Sequence, residues 1–254
     1  MGLGAEIISR KSMMDLPHKF ICRAIDINDG PDWTAPKGSI VISLLPLWVL
    51  SENLSHFMEA KSIIALSSTN IFDKNSRISK SLGRAETRLD EWSKRNLVTY
   101  TILRPTLIYD GKHDQNIARI AKIIKRFFIF PIAYPGTGLR QPIHADDVSK
   151  AILSAINSSG CENQAFNIAG GEILSYREMV RRILLALGRM PIVIMLPEFL
   201  LRTMFKVLSY LKIINEKRVG PNLFKRMNED RVFYCEDGLK ALKYNPRKFE
   251  PKFD

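Results

Sequence analysis

Short apolar runs alternate with longer amphipathic stretches through the first 170 residues of the chain. The apolar runs are rich in β-branched residues, and polar or turn-forming residues follow each of them, which is typical of strands. Such runs occupy residues 6–9, 20–25, 39–44, 62–66, 98–103 and 165–168. Apolar residues repeating at helical spacing predict helices over residues 80–95 and 116–128. This alternation predicts βαβ units, and therefore an α/β fold built on a parallel sheet.

Two further helices are indicated by capping signals downstream. Asp146 or Asp147 is expected to cap a helix that runs to residue 156. Ser175, with Glu178 three residues later, has the spacing of a capping box. The Pro- and Gly-rich residues 131–142 between the helices are expected to form a loop. After residue 191 the periodicity weakens, which favours a small C-terminal lobe.

Composition agrees with a globular protein that has one large domain or a domain with a smaller lobe, since 46% of 254 residues are hydrophobic. Cys22, Cys161 and Cys235 are odd in number and show no CxxC spacing, so no disulfide framework and no metal site is predicted. We therefore expect a cytoplasmic protein. The first residues also lack the features of a signal peptide.

The net charge of +12 is concentrated near the end of the chain, where residues 173–254 hold 17 Lys and Arg against 9 Asp and Glu. A basic lobe can hold a nucleotide diphosphate or an anionic lipid surface, or it can be an ordinary solvated surface. No nucleic-acid-binding motif accompanies it, so no nucleic-acid partner is expected. The apolar stretch 196–214 is crossed by four charged residues, which argues against a membrane span.

Arg202, Lys206 and Ser209 recur at helical spacing within that stretch. One interpretation is an interfacial helix that makes a peripheral membrane contact. The alternative is a helix that packs on its own lobe.

Several segments of the chain together resemble a known superfamily. ILRPTLIY at 102–109 and RQPIHADDV at 140–148 are the most specific of them, and polar residues follow the predicted strands at matching intervals. In order and spacing they resemble the extended and atypical short-chain dehydrogenases/reductases of the NAD-dependent epimerase/dehydratase branch. The resemblance implies a Rossmann-type doubly wound sheet that binds NAD or NADP. It divides the chain into a nucleotide-binding domain, 1–125, and a mainly substrate-binding lobe, 126–254, with 143–170 returning to the first domain.

The resemblance also implies roles for individual residues. Arg10 is placed beside the adenosine ribose, where a guanidinium slightly favours NADP, and Arg140 is placed near the diphosphate of a nucleotide-sugar substrate. A Ser or Thr of the catalytic segment Ser67, Ser68 and Thr69 is placed against the reacting oxygen. The cofactor-binding set it implies is Ser9, Arg10, Asp26, Ile27, Leu44, Leu45, Pro46 and Arg104.

Simpler interpretations of these residues stay open. Arg10 can be an ordinary surface residue, Asp26 a cap, and Leu44 and Leu45 part of the core. The hydroxyl residues of 67–69 are also common turn formers. His144 is expected to have a structural role, not that of a general base.

The chain departs from the superfamily pattern in two places. It has no strand–GxxGxxG–helix segment before residue 6, so we expect a chain that starts late or a specialised member. The usual catalytic Tyr and Lys fall on Ile78 and Leu82, unless the alignment slips to Lys80.

The sequence therefore favours an NAD(P)-binding epimerase/dehydratase-like protein that acts on a nucleotide-linked sugar or glycan precursor, with a homodimer as one expected form. The alternative is a non-catalytic accessory subunit, similar to the short-chain-dehydrogenase-like subunit of respiratory complex I, or an inactive truncated fragment.

Overall fold

The computed structural model describes residues 33–73, 76–210 and 223–253, together with the backbone of residues 5–9 and 20–24. Its strands are β1 (Ala5–Ser9), β2 (Phe20–Ala24), β3 (Ile40–Ser43), β4 (Ser62–Leu66), β5 (Thr99–Pro105), β6 (Ile108–Tyr109), β7 (Ile132–Ala133), β8 (Leu139–Arg140), β9 (Ile143–His144), β10 (Gln164–Ile168), β11 (Leu174–Ser175) and β12 (Met195–Leu196). Its helices are α1 (Leu47–Glu52), α2 (Arg77–Asn96), α3 (Ile117–Phe127), α4 (Ala145–Asn157), α5 (Tyr176–Ala186), α6 (Glu198–Tyr210), α7 (Leu223–Arg226) and α8 (Glu236–Leu242).

A four-stranded parallel sheet in the order β10-β5-β4-β3 forms the centre of the fold. Ile40 of β3 is paired with Ser62 of β4, which in turn is paired with Thr99 of β5. β1 and β2 form a separate parallel pair. Because the strands are parallel, their carboxyl ends meet at one edge of the sheet, where ligands of doubly wound folds bind. The predicted strands and the parallel α/β fold class are confirmed.

Helices cover both faces of this sheet. On one face α1 and α2 pack against a cluster that includes Leu47, Leu89 and Ile63. On the other face α4 and the segment around Leu242 pack against Phe166. Apolar side chains from alternate strand positions therefore enter two separate cores, as the period of a strand requires.

α2 shows why its sequence folds as it does. Ser76 accepts a hydrogen bond from the backbone N–H of Ile78 and caps the helix. The helix ends where Leu97 takes a left-handed conformation with φ 58°. The predicted helix over 80–95 is therefore confirmed, but it begins one turn earlier because Ser76 satisfies one of the free backbone donors of its first turn.

The C-terminal lobe has a core of its own, formed mainly by α3, α5, α6 and α7 with Phe249. The predicted loop over 131–142 contains two short strands, β7 and β8, which pair with β12 and β11 of the lobe. Those pairs join residues far apart in sequence, which local patterns do not reveal. α8 packs near β10 on the sheet instead of joining the lobe.

Candidate functional site at the carboxyl edge of the sheet

The predicted catalytic segment leaves the carboxyl end of β4, beside the end of β5. The backbone N–H of Ser67 donates to the carbonyl of Leu103 at 2.8 Å, which continues the strand pairing by one residue. Residues 69–72 then form a single 3-10 turn. The hydroxyl side chains of 67–69 consequently lie at the edge where a bound ligand is expected.

The Ser67 hydroxyl belongs to a network with two charged side chains. Ser67 Oγ donates to Glu86 Oε1 at 2.7 Å, and Arg104 Nε donates to the same oxygen at 3.0 Å. A second, shorter bond joins Arg104 Nη2 to Glu86 Oε2. Both charged side chains are largely buried. This network connects α2 to the ends of β4 and β5, and the lone pairs of Ser67 Oγ remain able to accept a bond from a ligand.

Ser68 and Thr69 have different local roles. Ser68 Oγ accepts from the backbone N–H of Asn70 at 3.2 Å and caps the 3-10 turn. It is the acceptor in this bond, so its hydroxyl proton can be donated to a ligand. Thr69 is buried and donates to the carbonyl of Pro105 at 3.2 Å. Of the three hydroxyls, Ser68 is therefore the best placed to donate, whereas Thr69 fixes the turn.

Apolar residues are exposed at the end of β3. Leu44 is 68% exposed, and Leu45 and Pro46 are also exposed before α1 begins. Ser43 lies just before them, and its buried Oγ has no hydrogen-bond partner among the described residues. Buried polar atoms usually have partners, so the end of β3 combines exposed apolar surface with one unsatisfied polar atom.

The loop that follows the 3-10 turn is attached to the C-terminal lobe. Asp73 accepts hydrogen bonds from Arg231 Nη2 at 2.8 Å and Arg226 Nη2 at 3.0 Å. The bond from Arg231 is the main reason why the pKa of Asp73 lies below its usual value. The Phe72 and Phe233 rings also meet, with centroids 5.5 Å apart. We call these contacts the Asp73 latch.

One nitrogen of the Arg231 guanidinium makes no hydrogen bond to the described residues. Its Nε is buried and has no partner within the described part of the chain. The Asp73 latch therefore brings two arginines, one of them incompletely bonded, to the loop that follows the hydroxyl segment.

Arg140 is buried inside the lobe. Its guanidinium donates to the carbonyls of Leu139 and Glu229, each at 2.7 Å, and to that of Arg226. It also lies over the Tyr176 ring, 5.2 Å from the centroid. Burial lowers the pKa of Arg140 to about 10, which leaves it charged at neutral pH. The diphosphate role expected for Arg140 stays a prediction, and the donors named here are used on the protein's own backbone.

His144 and Asp147 hold the fold together. His144 Nδ1 accepts from the backbone N–H of Asp146 at 3.1 Å, so His144 caps α4 and the expectation that an Asp caps it was wrong. Asp147 instead accepts from Arg247, through the backbone N–H at 2.9 Å and through the guanidinium. Burial alone would raise the pKa of Asp147, but the Arg247 bonds outweigh it and keep the pKa low.

The positions expected for a Tyr/Lys pair carry no acid or base. On α2 the Ile78 side chain is exposed and that of Leu82 is buried, one turn before Glu86. Lys80 is exposed on the same helix. Among the predicted cofactor residues, Arg10, Asp26 and Ile27 lie outside the described residues, and of Ser9 only the backbone at the end of β1 is described.

Comparison with known proteins identifies the fold. No protein-family profile matches the chain. UDP-glucose 4-epimerase of Vibrio cholerae is 25% identical over 109 residues, which cover 43% of this chain and 33% of that protein. NADH dehydrogenase [ubiquinone] 1 alpha subcomplex subunit 9, mitochondrial, of Dictyostelium discoideum is 25% identical over 135 residues, covering 53% of this chain and 35% of that protein. The matched segments thus span about a third of these curated relatives.

Solved structures match far more of the chain. UDP-glucose 4-epimerase from Thermotoga maritima, solved with UDP-glucose, superposes with a TM-score of 0.68 at 15% identity, covering 96% of this chain and 86% of its own. UDP-glucuronic acid 4-epimerase from Bacillus cereus, solved with UDP-glucuronic acid and NAD, superposes with a TM-score of 0.65 at 14% identity, covering 92% and 78%. The chain has the fold of the NAD-dependent epimerases and dehydratases. The resemblance predicted from the sequence is confirmed at this level.

Within this epimerase/dehydratase fold, the sequence did not predict three residues of the Asp73 latch. It also did not predict that Glu86 pairs with Arg104 and accepts from Ser67. Glu86 had a usable signal, because it lies on the apolar face of α2 with Leu82 and Leu89, where an unpaired charge is rare. Asp73, Arg226 and Arg231 had none, because the latch joins positions more than 150 residues apart.

No helix in the described part of this protein is long and apolar enough to cross a membrane.

Proposed function

We propose that the protein binds NAD(P) at the carboxyl edge of its sheet and acts on a nucleotide-linked sugar or related glycan precursor. The observation that carries this proposal is the position of Ser67, Ser68 and Thr69, which leave the central strand β4 beside a basic lobe. The fold likeness to proteins solved with NAD and with UDP-sugars supports it.

The cofactor fits the end of β3. Exposed Leu44 and Leu45 supply apolar surface for a flat ring or ribose, and the unpartnered Ser43 Oγ supplies a polar atom close by. When bound, NAD(P) would accept or return a hydride at a sugar carbon. Ser68 would donate its hydroxyl proton to the reacting oxygen, and Arg104 would keep Ser67 in place through Glu86. The preference for NADP rests on Arg10 and remains part of the proposal.

For the substrate diphosphate, Arg231 is a better candidate than Arg140. Arg140 donates to three backbone carbonyls, whereas Arg231 donates to the side chains of Asn70 and Asp73, which a ligand could displace. The buried Nε of Arg231 has no partner among the described residues. A guanidinium suits a diphosphate because its forked donors match two phosphate oxygens. We therefore place the substrate diphosphate near the Asp73 latch, with Arg140 supporting the lobe beneath it.

A second candidate function is a non-catalytic NAD(P)-binding accessory subunit. Ile78 and Leu82 favour it, because neither can transfer a proton where the superfamily places its acid/base pair. The similarity to subunit 9 of the Dictyostelium NADH dehydrogenase agrees with it. Both functions use the cofactor, so binding of a nucleotide sugar separates them.

Arg231→Gln is expected to weaken UDP-glucose binding about tenfold, equal to about 1.4 kcal/mol, because a neutral amide replaces a charged donor to the diphosphate. Isothermal titration calorimetry in the presence of NAD measures the change. The matched control is Arg95→Gln, since Arg95 lies exposed at the far end of α2.

Asp73→Asn separates direct contact from mere loosening of the Asp73 latch. If Arg231 binds the diphosphate, this variant keeps or strengthens UDP-glucose binding, because it removes a competing carboxylate. Equal losses in Arg231→Gln and Asp73→Asn would mean that Arg231 acts only through the latch. Failure of the parent protein to bind UDP-glucose, with NAD binding intact, would favour the accessory-subunit function.

The two-domain division at residues 125 and 126, a homodimer and a peripheral membrane contact are further proposals. None of these three proposals is supported by the cofactor site proposed at the carboxyl edge of the sheet. The membrane contact depends on a different surface, on the outside of the C-terminal lobe.

A further inference from the structure

Three segments of the C-terminal lobe expose large apolar side chains next to one another. They are the end of α3, the chain that leads into β12, and the outer side of α6. Parallel pairing of β12 with β7 holds the second segment beside the first, and Ile132 N–H donates to the carbonyl of Ile194 at 2.9 Å. α6 begins two residues after β12 and also contacts β7. We call this surface the apolar edge, represented by Phe128, Ile129, Met190, Ile192, Phe199 and Tyr210.

The exposure of the apolar edge is too large for ordinary scattered surface residues. Phe128, Met190, Ile192, Phe199 and Tyr210 are each between 60% and 87% exposed. Monomeric soluble proteins rarely place so many large apolar groups together without a partner. The outer face of α6 in particular carries Phe199, Val207 and Tyr210 at helical spacing, where a solvated helix would present polar residues.

The charge around the apolar edge is mainly positive. Residues 117–134 and 179–197 contain seven Lys and Arg and no Asp or Glu, although Arg181 and Arg182 are paired with Glu178. On α6 the one carboxylate, Glu198, is paired with Arg202. The Arg189 guanidinium lies over the Phe128 ring, 4.5 Å from its centroid, and the buried Arg189 Nε has no partner among the described residues. Arg126 lies in the same way over Phe127, at 5.4 Å. Two exposed aromatic rings of this region therefore make cation–π contacts with arginines.

We infer that the apolar edge docks on an anionic lipid bilayer surface. Phenylalanine and aliphatic side chains would enter the region between head groups and acyl chains, and the flanking cations would meet phosphate or carboxylate head groups. Charge complementarity selects this occupant, since a second copy would bring the same excess of positive charge against the edge. Of the residues first expected on this helix, Lys206 lies at helical spacing from Phe199 and Tyr210 and is exposed. Arg202 is instead paired with Glu198, and Ser209 is half-buried.

Vesicle co-sedimentation with the full chain tests this inference. We expect binding to equimolar phosphatidylserine and phosphatidylcholine vesicles, little binding to phosphatidylcholine alone, and weakening as salt is raised. Phe199→Ser combined with Ile192→Ser should reduce the binding about tenfold or more, since two apolar side chains that would enter the bilayer are lost. Arg189→Gln combined with Lys206→Gln should lower it and reduce its salt dependence.

The control is Leu97→Ser, because Leu97 is as exposed as the edge residues but lies at the end of α2. It should bind vesicles like the parent protein, and all variants should unfold at the parent's temperature. The inference is overturned if the parent does not bind anionic vesicles, or if Leu97→Ser loses as much binding as the edge variants. A dimer that only Phe199→Ser with Ile192→Ser dissociates, without vesicle binding, would assign the edge to a second copy instead. None of these readouts depends on the cofactor or on a nucleotide sugar.

Discussion

Replacing Arg140 by alanine is expected to lower the free energy of unfolding by about 3–5 kcal/mol, because buried backbone carbonyls lose a charged donor and a buried side chain is truncated. The substitution removes the donors to the carbonyls of Leu139, Arg226 and Glu229. It also removes a cation from the Tyr176 ring and leaves a cavity in the lobe. Urea unfolding followed by circular dichroism measures the change.

The matched control for this prediction is Arg95→Ala, which removes an exposed arginine and should change stability by less than about 0.5 kcal/mol. The same Arg140 variant decides between the two roles of the residue. If the guanidinium acts within the lobe, folded Arg140→Ala at low temperature binds UDP-glucose as tightly as the parent. A variant of parental stability that no longer binds UDP-glucose would instead assign Arg140 to the substrate.

Breaking the Glu86–Arg104 pair should have an effect of similar size. Glu86→Ala and Arg104→Ala should each destabilise the protein by about 3–4 kcal/mol, because each leaves a largely buried charge without its partner. Combining them removes both charges together, so the double variant should cost much less than the sum. The coupling energy is read from urea unfolding of the parent, the two single variants and the double variant.

Ser67→Ala tests the third member of this network. It should cost less, about 1.5–2 kcal/mol, because only one hydrogen bond to a charged group is lost. Additive losses in Glu86→Ala and Arg104→Ala would contradict the pairing. So would a double variant that is less stable than either single variant by several kcal/mol.

Local patterns were sufficient to predict the six longer strands and the longer helices, but not the two-residue strands such as β7 and β8. Residues 62–66 alternate little and are almost wholly buried, as a central parallel strand requires, and the helix on residues 116–128 has one clear apolar face. The ends of the helices depend on capping residues, and α4 shows that the sequence alone does not always identify the cap. Asp146 and Asp147 are both good capping residues, yet His144 caps the helix because Asp147 is turned inwards to Arg247.

The sequence predicted only those residues of the candidate site that directly follow a strand. Ser67 to Thr69 and Leu44 to Pro46 lie at the carboxyl edge because the ends of parallel strands must meet there. The partners of those residues come from distant segments. Arg231 reaches Asp73 across 158 positions, and Arg140 faces carbonyls almost 90 positions away, so no local spacing could reveal either contact.

The measurement that tests the central claim most directly is a fluorescence titration of the purified chain with NADH and, in parallel, NADPH. The carboxyl-edge site predicts saturable binding of at least one of them. Leu44→Glu should weaken it about tenfold, because a charged carboxylate would replace the apolar surface proposed to contact the cofactor ring or ribose. Leu97→Glu, a charge of the same sign at a still more exposed leucine on the far end of α2, should leave binding unchanged. Absence of binding by the parent, or equal binding by Leu44→Glu and the parent, would contradict a cofactor site at this edge.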